Sequence, residues 1–280
     1  MSTKRITIPA LQAKKSCGEK IVMLTCYDAT FARLLDTADV DMLLIGDSLG
    51  MVIQGQETTL PVTLDDVLYH TRCVARVTQR AHIVADMPFM SYQASRESAL
   101  CNAGRLLKEG GAHSVKVEGG VELVDTVAAM TNAGIPVIAH IGLKPQRVHQ
   151  MGGYKIQGRD AAGEAQLLRE AKLFEEAGAY MVLMEGVTIE AAQEITAALH
   201  IPTIGINAGP GCDGQVLVIY DLLGLAPYFH FRFVKRYAEL GPIVQEAVNA
   251  YAHEVRTGAF PTEQHGQHRD VNTVPLRQRA

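Results

Sequence analysis

Short apolar segments alternate along this chain with longer segments in which apolar residues recur at helical spacing. An uninterrupted apolar segment is typical of a strand buried on both faces, as in a parallel sheet. The segment 42–45 is the clearest, because it leads directly into Gly46 and the polar pair Asp47-Ser48. The pattern predicts eight strands, at residues 21–27, 42–45, 82–86, 114–118, 135–142, 180–185, 202–208 and 215–220.

The segments between these strands predict helices, at residues 29–37, 63–78, 95–108, 121–132, 160–177, 188–199 and 240–256. Asp28 and Thr188 are predicted N-caps, and Thr63 to Asp66 resembles a capping box. Two loops are long. We expect residues 52–61 to form a flap over a site, and residues 143–159 to be functional or disordered.

Eight strands alternating with helices, without a break in composition, predict an α/β fold with a single (β/α)8 TIM-type barrel domain. An open doubly wound sheet is the alternative. It would need a glycine-rich phosphate loop after the first strand, and the turn there, TCYDAT, has no glycine. We expect residues 1–262 to form the barrel and residues 263–280 to form a mobile polar tail.

Composition narrows the classes of partner. The chain has 280 residues, of which 48% are hydrophobic, so it can bury a large core. Its formal net charge of −4 offers no basic surface for nucleic acid, and no apolar segment is long enough to cross a membrane. The five cysteines form no CxxC pair and suit a reducing cytoplasm, and the N-terminus lacks a secretory h-region.

Charged residues end several of the predicted strands. In a parallel barrel all strands open on one face at their carboxyl ends, so these side chains would share one mouth. The residues concerned are Asp47, Asp86, Glu118, His140 and Glu185. Any one of these carboxylates alone would more often cap a helix or pair with a base. Three carboxylates in equivalent positions, Asp47, Asp86 and Glu118, instead favour a Mg²⁺ site.

Lys116, Glu185 and His140 are candidates for substrate binding or proton transfer at this mouth. Lys116 shares a strand face with Glu118 and could hold a substrate carboxylate, or simply form an ion pair with Glu118. Glu185 follows four apolar residues, so burial should raise its pKa towards that of a general base. His140 is a possible accessory residue, although a lone histidine is more often a hydrogen-bonded wall residue.

Ordered motifs over residues 15–261 resemble the ketopantoate hydroxymethyltransferase (3-methyl-2-oxobutanoate hydroxymethyltransferase) family. They are GDSLGMV, TTLPVTLDD with YHTR, ADMPFMSYQ, VKVEGG, AHIGLKPQ, GGYKIQGR, MEGV and GPGCDGQVLV. The resemblance implies transfer of the one-carbon unit of 5,10-methylenetetrahydrofolate to 3-methyl-2-oxobutanoate, giving 2-dehydropantoate in pantothenate biosynthesis. It also implies a homo-oligomer, commonly a decamer.

The resemblance also implies roles for individual residues. Asp47 and Asp86 would bind Mg²⁺, and Glu118 would complete the metal site directly or through water. The residues in contact with the keto acid would be Asp47, Ser48, Asp86 and Lys116. Glu185 matches the proton acceptor of the family.

The chain departs from the family pattern without losing any of these residues. It has Asn207 where GIGAGP is usual, Tyr220-Asp221 for a His-Asp pair, Gln56 in the flap, and FRFV at residues 231–234. Two rival functions are a Mg²⁺-dependent C–C lyase of the isocitrate lyase and phosphoenolpyruvate mutase group, and a binding barrel without activity.

Overall fold

The computed structural model describes residues 4–225 and 231–267. Its eight parallel strands close into a barrel in sequence order, so the predicted (β/α)8 fold is confirmed and the open sheet is wrong. The strands are β1 Ile21–Thr25, β2 Met42–Ile45, β3 His82–Asp86, β4 Ser114–Glu118, β5 Val137–Gly142, β6 Met181–Glu185, β7 Thr203–Ile206 and β8 Gly214–Leu217.

Helices follow most of the strands on the outside of the barrel. They are α1 Ile8–Cys17, α2 Ala29–Thr37, α3 Leu49–Val52, α4 Leu64–Ala75, α5 Arg96–Lys108, α6 Val124–Asn132, α7 Val148–Met151, α8 Ala161–Glu176, α9 Ile189–Ala198, α10 Ile219–Leu222 and α11 Leu240–Thr257. None of the helices in the described part of the chain is long and apolar enough to span a membrane.

Two apolar cores hold the barrel together. One fills its interior and includes Met23, Met42 and Leu44. The other lies between the strands and the surrounding helices. Because parallel strands have a core on each face, their sequences are apolar throughout, which explains why unbroken apolar segments located them.

Side-chain hydrogen bonds cap the N-termini of α2 and α4, as the sequence predicts. Asp28 accepts hydrogen bonds from two backbone N–H groups at the start of α2, and Thr63 and Asp66 form a capping box at α4. Thr188 occupies the predicted N-cap position of α9, but its side chain makes no capping hydrogen bond. Its hydroxyl donates to the carbonyl of Gly158 at 2.9 Å instead, which joins the long loop after β5 to the start of α9.

The structure differs from the predicted elements in the bounds of several strands, in the unpredicted short helix α3, and in the three regions described next. The first residues contain helix α1, in which only Leu11 is buried, so the sequence shows no apolar stripe there. Strand β8 ends at Leu217 and α10 starts two residues later. The loop 143–159 is partly helical, with a 3-10 helix at Pro145–Arg147 followed by α7. Of the predicted tail, residues 268–280 lie outside the described residues.

Candidate active site

The predicted site residues meet at the carboxyl end of the barrel. Asp86, Glu118 and Glu185 are the last residues of β3, β4 and β6, while Asp47 lies in the turn after β2. They line a cavity of about 820 Å³ together with Ser48, Lys116 and His140. We call Asp47, Asp86, Lys116, Glu118, His140 and Glu185 the mouth cluster.

Gly46 allows β2 to leave the barrel beside its neighbour. A Cβ atom at this position would lie 2.7 Å from Ser48 Oγ and 3.5 Å from Asp86 Oδ2. The glycine therefore leaves room for the Ser48 hydroxyl. The backbone N–H of Asp47 donates to Asp86 Oδ2 at 2.9 Å, which joins the turn after β2 to the carboxylate at the end of β3.

Lys116 is the cation at the centre of the mouth cluster. Its Nζ lies 2.9 Å from Asp86 Oδ1 and 3.3 Å from His140 Nδ1. The ion-pair partner is thus Asp86, where the sequence suggested Glu118. His140 bridges to both glutamates, with Nδ1 3.7 Å from Glu118 Oε2 and Nε2 3.4 Å from Glu185 Oε2.

Burial and like charges determine the protonation of the carboxylates. Burial, followed by repulsion from Asp86, raises the pKa of Asp47 to about 7. Burial likewise raises the pKa of Glu185 to about 7 and that of Glu118 well above its usual range. Four carboxyl groups therefore crowd one ammonium, and a bound cation would offset their mutual repulsion.

The pKa values of the two basic groups in the site shift in opposite directions. Burial by itself lowers the pKa of Lys116, but Asp86, Asp47 and Glu118 outweigh it and raise that pKa, so the ammonium stays charged. Burial and then the Lys116 charge lower the pKa of His140 well below its usual value. His140 is therefore a neutral imidazole beside Glu185.

Ser48 is held at the edge of the cavity by an aromatic hydroxyl. Its Oγ lies 2.8 Å from the hydroxyl oxygen of Tyr27, which is itself buried. A fixed serine at this point can offer a hydrogen bond to a ligand oxygen.

The sequence did not single out Gln146, which organises the carboxylates. Its side-chain Nε2 donates to Asp47 Oδ2 at 2.9 Å, and its backbone N–H donates to Glu118 Oε1 at 2.7 Å. Tyr92 in turn donates its hydroxyl to Gln146 Oε1 at 2.7 Å. Gln146 lies in the 3-10 helix of a predicted loop, and only its place in the GLKPQ motif marked it.

The oxygen donors of this cluster fit a hard divalent cation. Among residues 4–225 and 231–267, no three His, Cys, Asp or Glu side chains form a finished metal site, so the predicted ligand set stays a prediction. Asp86 Oδ1 has the Lys116 ammonium, 2.9 Å away, as its single partner in that part of the chain. Mg²⁺ commonly uses one or two carboxylates with water and substrate oxygens, which matches this donor set.

The upper wall of the cavity is more apolar than its base. Tyr154, Ile156, Phe231 and Phe233 line it, and the last two rings stack 5.5 Å apart. Residues of the predicted flap also contribute, with Val52 and Thr59 lining the cavity. His149, in the loop after β5, is exposed.

Besides Phe231 and Phe233, two further positions that depart from the family pattern contribute to this cavity. Asn207 lines it with a φ of 52°, in the left-handed region. Tyr220 also lines it, and its ring packs 5.9 Å from the rings of Tyr27 and Phe31. Tyr220 therefore supports the residue that holds Ser48.

A closed parallel barrel with buried carboxylates, a lysine and a histidine at its carboxyl end defines a class, the (β/α)8-barrel enzymes. A family model described as ketopantoate hydroxymethyltransferase matches residues 5–263. This chain belongs to the ketopantoate hydroxymethyltransferase family.

Curated relatives agree over nearly their whole length. The 3-methyl-2-oxobutanoate hydroxymethyltransferase of Geotalea daltonii is 54% identical over 260 residues, which cover 93% of this chain and 97% of the relative. The protein of the same name from Anaeromyxobacter dehalogenans is 52% identical and covers 99% of this chain and 92% of its own.

Solved structures share the fold at low sequence identity. Phosphonopyruvate hydrolase in complex with oxalate and Mg²⁺ has a TM-score of 0.62 at 14% identity, covering 94% of this chain and 93% of its own. A 2,3-dimethylmalate lyase of the PEP mutase/isocitrate lyase superfamily has a TM-score of 0.59 at 16% identity, covering 92% and 91%. These similarities show the barrel fold alone, so they do not favour the rival lyase function.

Proposed function

We propose that this enzyme transfers the one-carbon unit of 5,10-methylenetetrahydrofolate to 3-methyl-2-oxobutanoate, giving 2-dehydropantoate for pantothenate biosynthesis. The observation that supports the proposal is the mouth cluster, in which four carboxyl groups, an ammonium group and an imidazole line one cavity. The family relationship and the shared name of the relatives support the same reaction.

Asp47 and Asp86 would hold a Mg²⁺ ion, with Glu118 directly or through water. When bound, the ion supplies Lewis-acid polarisation of the keto oxygen. The three side chains suit this role because they are buried carboxylates drawn from three different strands.

Lys116 would bind the carboxylate of the keto acid, together with Ser48 and the backbone around Asp47. Its ammonium is charged and nearly buried, which strengthens a hydrogen bond to an anion. Asp86 would then orient Lys116 through their 2.9 Å contact.

Glu185 would remove the proton from C3 of the keto acid. A carboxylate with a pKa of about 7 suits proton abstraction near neutral pH. Its side chain is 24% exposed, towards the cavity, and neutral His140 lies beside it as a possible accessory group. The enolate carbon would then attack the methylene carbon of the opened folate iminium, and the C=N electrons would return to nitrogen. Water would supply the hydroxyl group of the product as the remaining C–N bond breaks and tetrahydrofolate leaves.

The cavity is larger than a five-carbon acid requires. A volume of about 820 Å³ lies within the range of sites for drug-sized ligands, roughly 300–1,000 Å³. The apolar upper wall would accept the ring system of the folate co-substrate. We further propose that the enzyme is cytoplasmic and assembles as a homo-oligomer, a decamer by resemblance to its family.

Product formation tests the proposal. Purified protein is mixed with Mg²⁺, 3-methyl-2-oxobutanoate and methylenetetrahydrofolate, and 2-dehydropantoate is measured by mass spectrometry. We expect product that disappears on chelation with EDTA and returns with added Mg²⁺. Parallel assays with isocitrate and 2-methylisocitrate should show no cleavage. Cleavage of either acid without formation of 2-dehydropantoate would refute the proposal in favour of a lyase.

A further inference from the structure

Helix α8 carries a buried carboxylate outside the mouth cluster. Glu170 is 2% exposed, and neither it nor its ion-pair partner Lys144 lines the cavity. Glu170 Oε1 accepts a hydrogen bond from Gln166 Nε2 at 3.0 Å, whereas Oε2 accepts none from the described residues. Lys144 Nζ lies 3.6 Å from Oε2. Because a buried ion pair often adds little net stability, stability alone does not account for this one.

The Glu170 side chain lies against the loop that follows β4. A Cβ atom on Gly120 would lie 2.6 Å from Glu170 Oε1, so a glycine is needed for the loop to pass this close. Gly120 comes two residues after Glu118, the last residue of β4. The carboxylate of Glu170 is therefore packed directly behind the strand end that supplies a proposed metal ligand.

Lys144 lies in the loop that follows β5. It immediately precedes the 3-10 helix Pro145–Arg147, and its carbonyl accepts a hydrogen bond from the Arg147 N–H at 2.9 Å. The residue between them, Gln146, donates hydrogen bonds to Asp47 and Glu118. The contact between Lys144 and α8 thus lies within one helical turn of the glutamine that orients two carboxylates.

A second ion pair joins the same two loops. Arg147 pairs with Glu122, whose Oε1 also accepts a hydrogen bond from the backbone N–H of Gly120 at 2.9 Å. The side chains of Arg147 and Glu122 are 30% and 47% exposed, so water weakens this pair. Those of Lys144 and Glu170 are only 12% and 3% exposed. Since buried charges are screened less, Lys144–Glu170 should be the stronger restraint on the loops.

We propose that Glu170 is a positioning residue that acts through Lys144 and Gln146. It holds the loop after β5 against the loop after β4, so that Gln146 keeps Asp47 and Glu118 in the orientation described above. This role rests on the proposed function, since these two carboxylates are proposed ligands of Mg²⁺. The position of the loop itself can be measured without a metal.

Hydrogen exchange followed by mass spectrometry tests the position of the loop. Three backbone N–H groups in residues 143–147 donate hydrogen bonds, so a peptide over this range should exchange slowly while the loop is held. Glu170→Gln keeps the size of the side chain and removes its charge. The peptide should then exchange at least about tenfold faster, while a peptide from β1 keeps its rate. Glu176→Gln, at an exposed residue of the same helix, should match the unaltered protein.

Calorimetric titration with Mg²⁺ separates positioning from simple stabilisation. Glu170→Gln leaves the Lys144 ammonium without its partner, so both stability and loop position should suffer. Glu170→Met combined with Lys144→Met replaces the pair by apolar side chains, which often keeps or raises stability. Apolar contacts are not directional, so the loop should still lose its fixed position.

Both variants should therefore bind Mg²⁺ about tenfold more weakly than the unaltered protein, and only Glu170→Gln should melt at a lower temperature. A purely structural ion pair would leave the Mg²⁺ affinity of the folded double variant intact. That result would overturn the positioning role.

A double-mutant cycle tests whether Glu170 acts through Gln146. Gln146→Ala should weaken Mg²⁺ binding by itself, and adding Glu170→Gln should weaken it by less than a further factor of about two. A full tenfold loss in that background would overturn the path through Gln146. Equal exchange rates of residues 143–147 in Glu170→Gln and the unaltered protein would overturn the positioning role as a whole. An unaltered protein that binds no Mg²⁺ would refute the proposed metal site instead, and the exchange rates would then decide whether Glu170 positions the loop.

Discussion

Two polar groups of residues lie inside this barrel, one at each end. The mouth cluster occupies the carboxyl end. At the other end, His82, Ser114 and Tyr180 form a second group, which we call the lower network. His82 Nε2 lies 3.0 Å from Ser114 Oγ, which lies 2.8 Å from the Tyr180 hydroxyl. Strands β3 and β4 supply residues to both groups, so the same strands build two different environments.

The two groups differ in whether their buried polar atoms have hydrogen-bond partners. The lower network is neutral, because burial lowers the pKa of His82 to about 4, and its polar atoms bond one another. In the mouth cluster, several carboxylates are buried together with raised pKa values, and His140 Nε2 accepts no hydrogen bond from the described residues. Closed networks stabilise a fold, whereas open ones cost stability and leave atoms for a ligand. We expect function to depend on one end and stability on the other.

The largest effect should come from Glu185→Gln, because it removes the basic oxygen and keeps the size. Deuterium exchange at C3 of 3-methyl-2-oxobutanoate, in D₂O with Mg²⁺ and without folate, should slow by about 10²–10⁴-fold. Calorimetry should show that the keto acid still binds, and the melting temperature should not fall. Glu190→Gln, an exposed residue of α9, is the control. Parental exchange with loss of hydroxymethyl transfer alone would assign Glu185 to the folate step.

The second-largest effect is expected for Asp86→Asn, which replaces an anionic oxygen donor with a neutral one. Calorimetric titration should show Mg²⁺ affinity weakened at least about tenfold, while the fold persists. Asp125→Asn, in which the replaced carboxylate is 82% exposed, should leave the affinity unchanged. Equal affinities in both variants would make Asp86 a structural carboxylate, like a residue of the lower network.

The lower network should make folding sensitive to acid through His82. Its pKa is about 4 when folded and about 6.5 when unfolded, so only the unfolded chain gains this proton as pH falls from 6.5. The free energy of unfolding should therefore fall by up to about 3 kcal/mol between pH 6.5 and 4. His82→Gln should reduce this slope in denaturant titrations, whereas His149→Gln should not. An unchanged slope in His82→Gln would show that folding does not lower the pKa of His82.

The smallest effect is expected for Tyr180→Phe, which removes one hydroxyl from the lower network. The free energy of unfolding should fall by about 0.5–1.5 kcal/mol, and the rate of 2-dehydropantoate formation should not change. Tyr69→Phe, at an exposed residue, should change neither. Loss of activity at unchanged stability would break the division between the two ends.

The fold could be predicted well because its signals are local. Strands β2, β3 and β4 agree with their predicted bounds, since each apolar segment ends at a polar residue where the strand leaves the core. Helix α1 could not be predicted, because burial of Leu11 alone leaves no periodic pattern. The short α10 was read as strand because its sequence continues the apolar segment of β8.

The site could be predicted only in part, because residues that contact each other there are distant in sequence. The position of strand ends placed the mouth cluster on one face, but the partner of each group depends on barrel geometry. The sequence offers Glu118, on the same strand, as the alternative ion-pair partner of Lys116, whereas Lys116 pairs with Asp86 on the neighbouring strand. Gln146 shows no sequence signal of its own, since a glutamine in a loop is common and its bond to Asp47 spans 99 residues.

The hydrogen bonds around the carboxylates also fix the orientation of each one. Asp47 Oδ2 accepts from Gln146 Nε2, Asp86 Oδ2 from the Asp47 N–H, and Glu118 Oε1 from the Gln146 N–H. Each of these oxygens keeps a second lone pair, so the bonds hold the carboxylates in place without blocking a cation. The proposed Mg²⁺ would thus meet oxygen donors that are already oriented, and less conformational freedom would be lost when it binds.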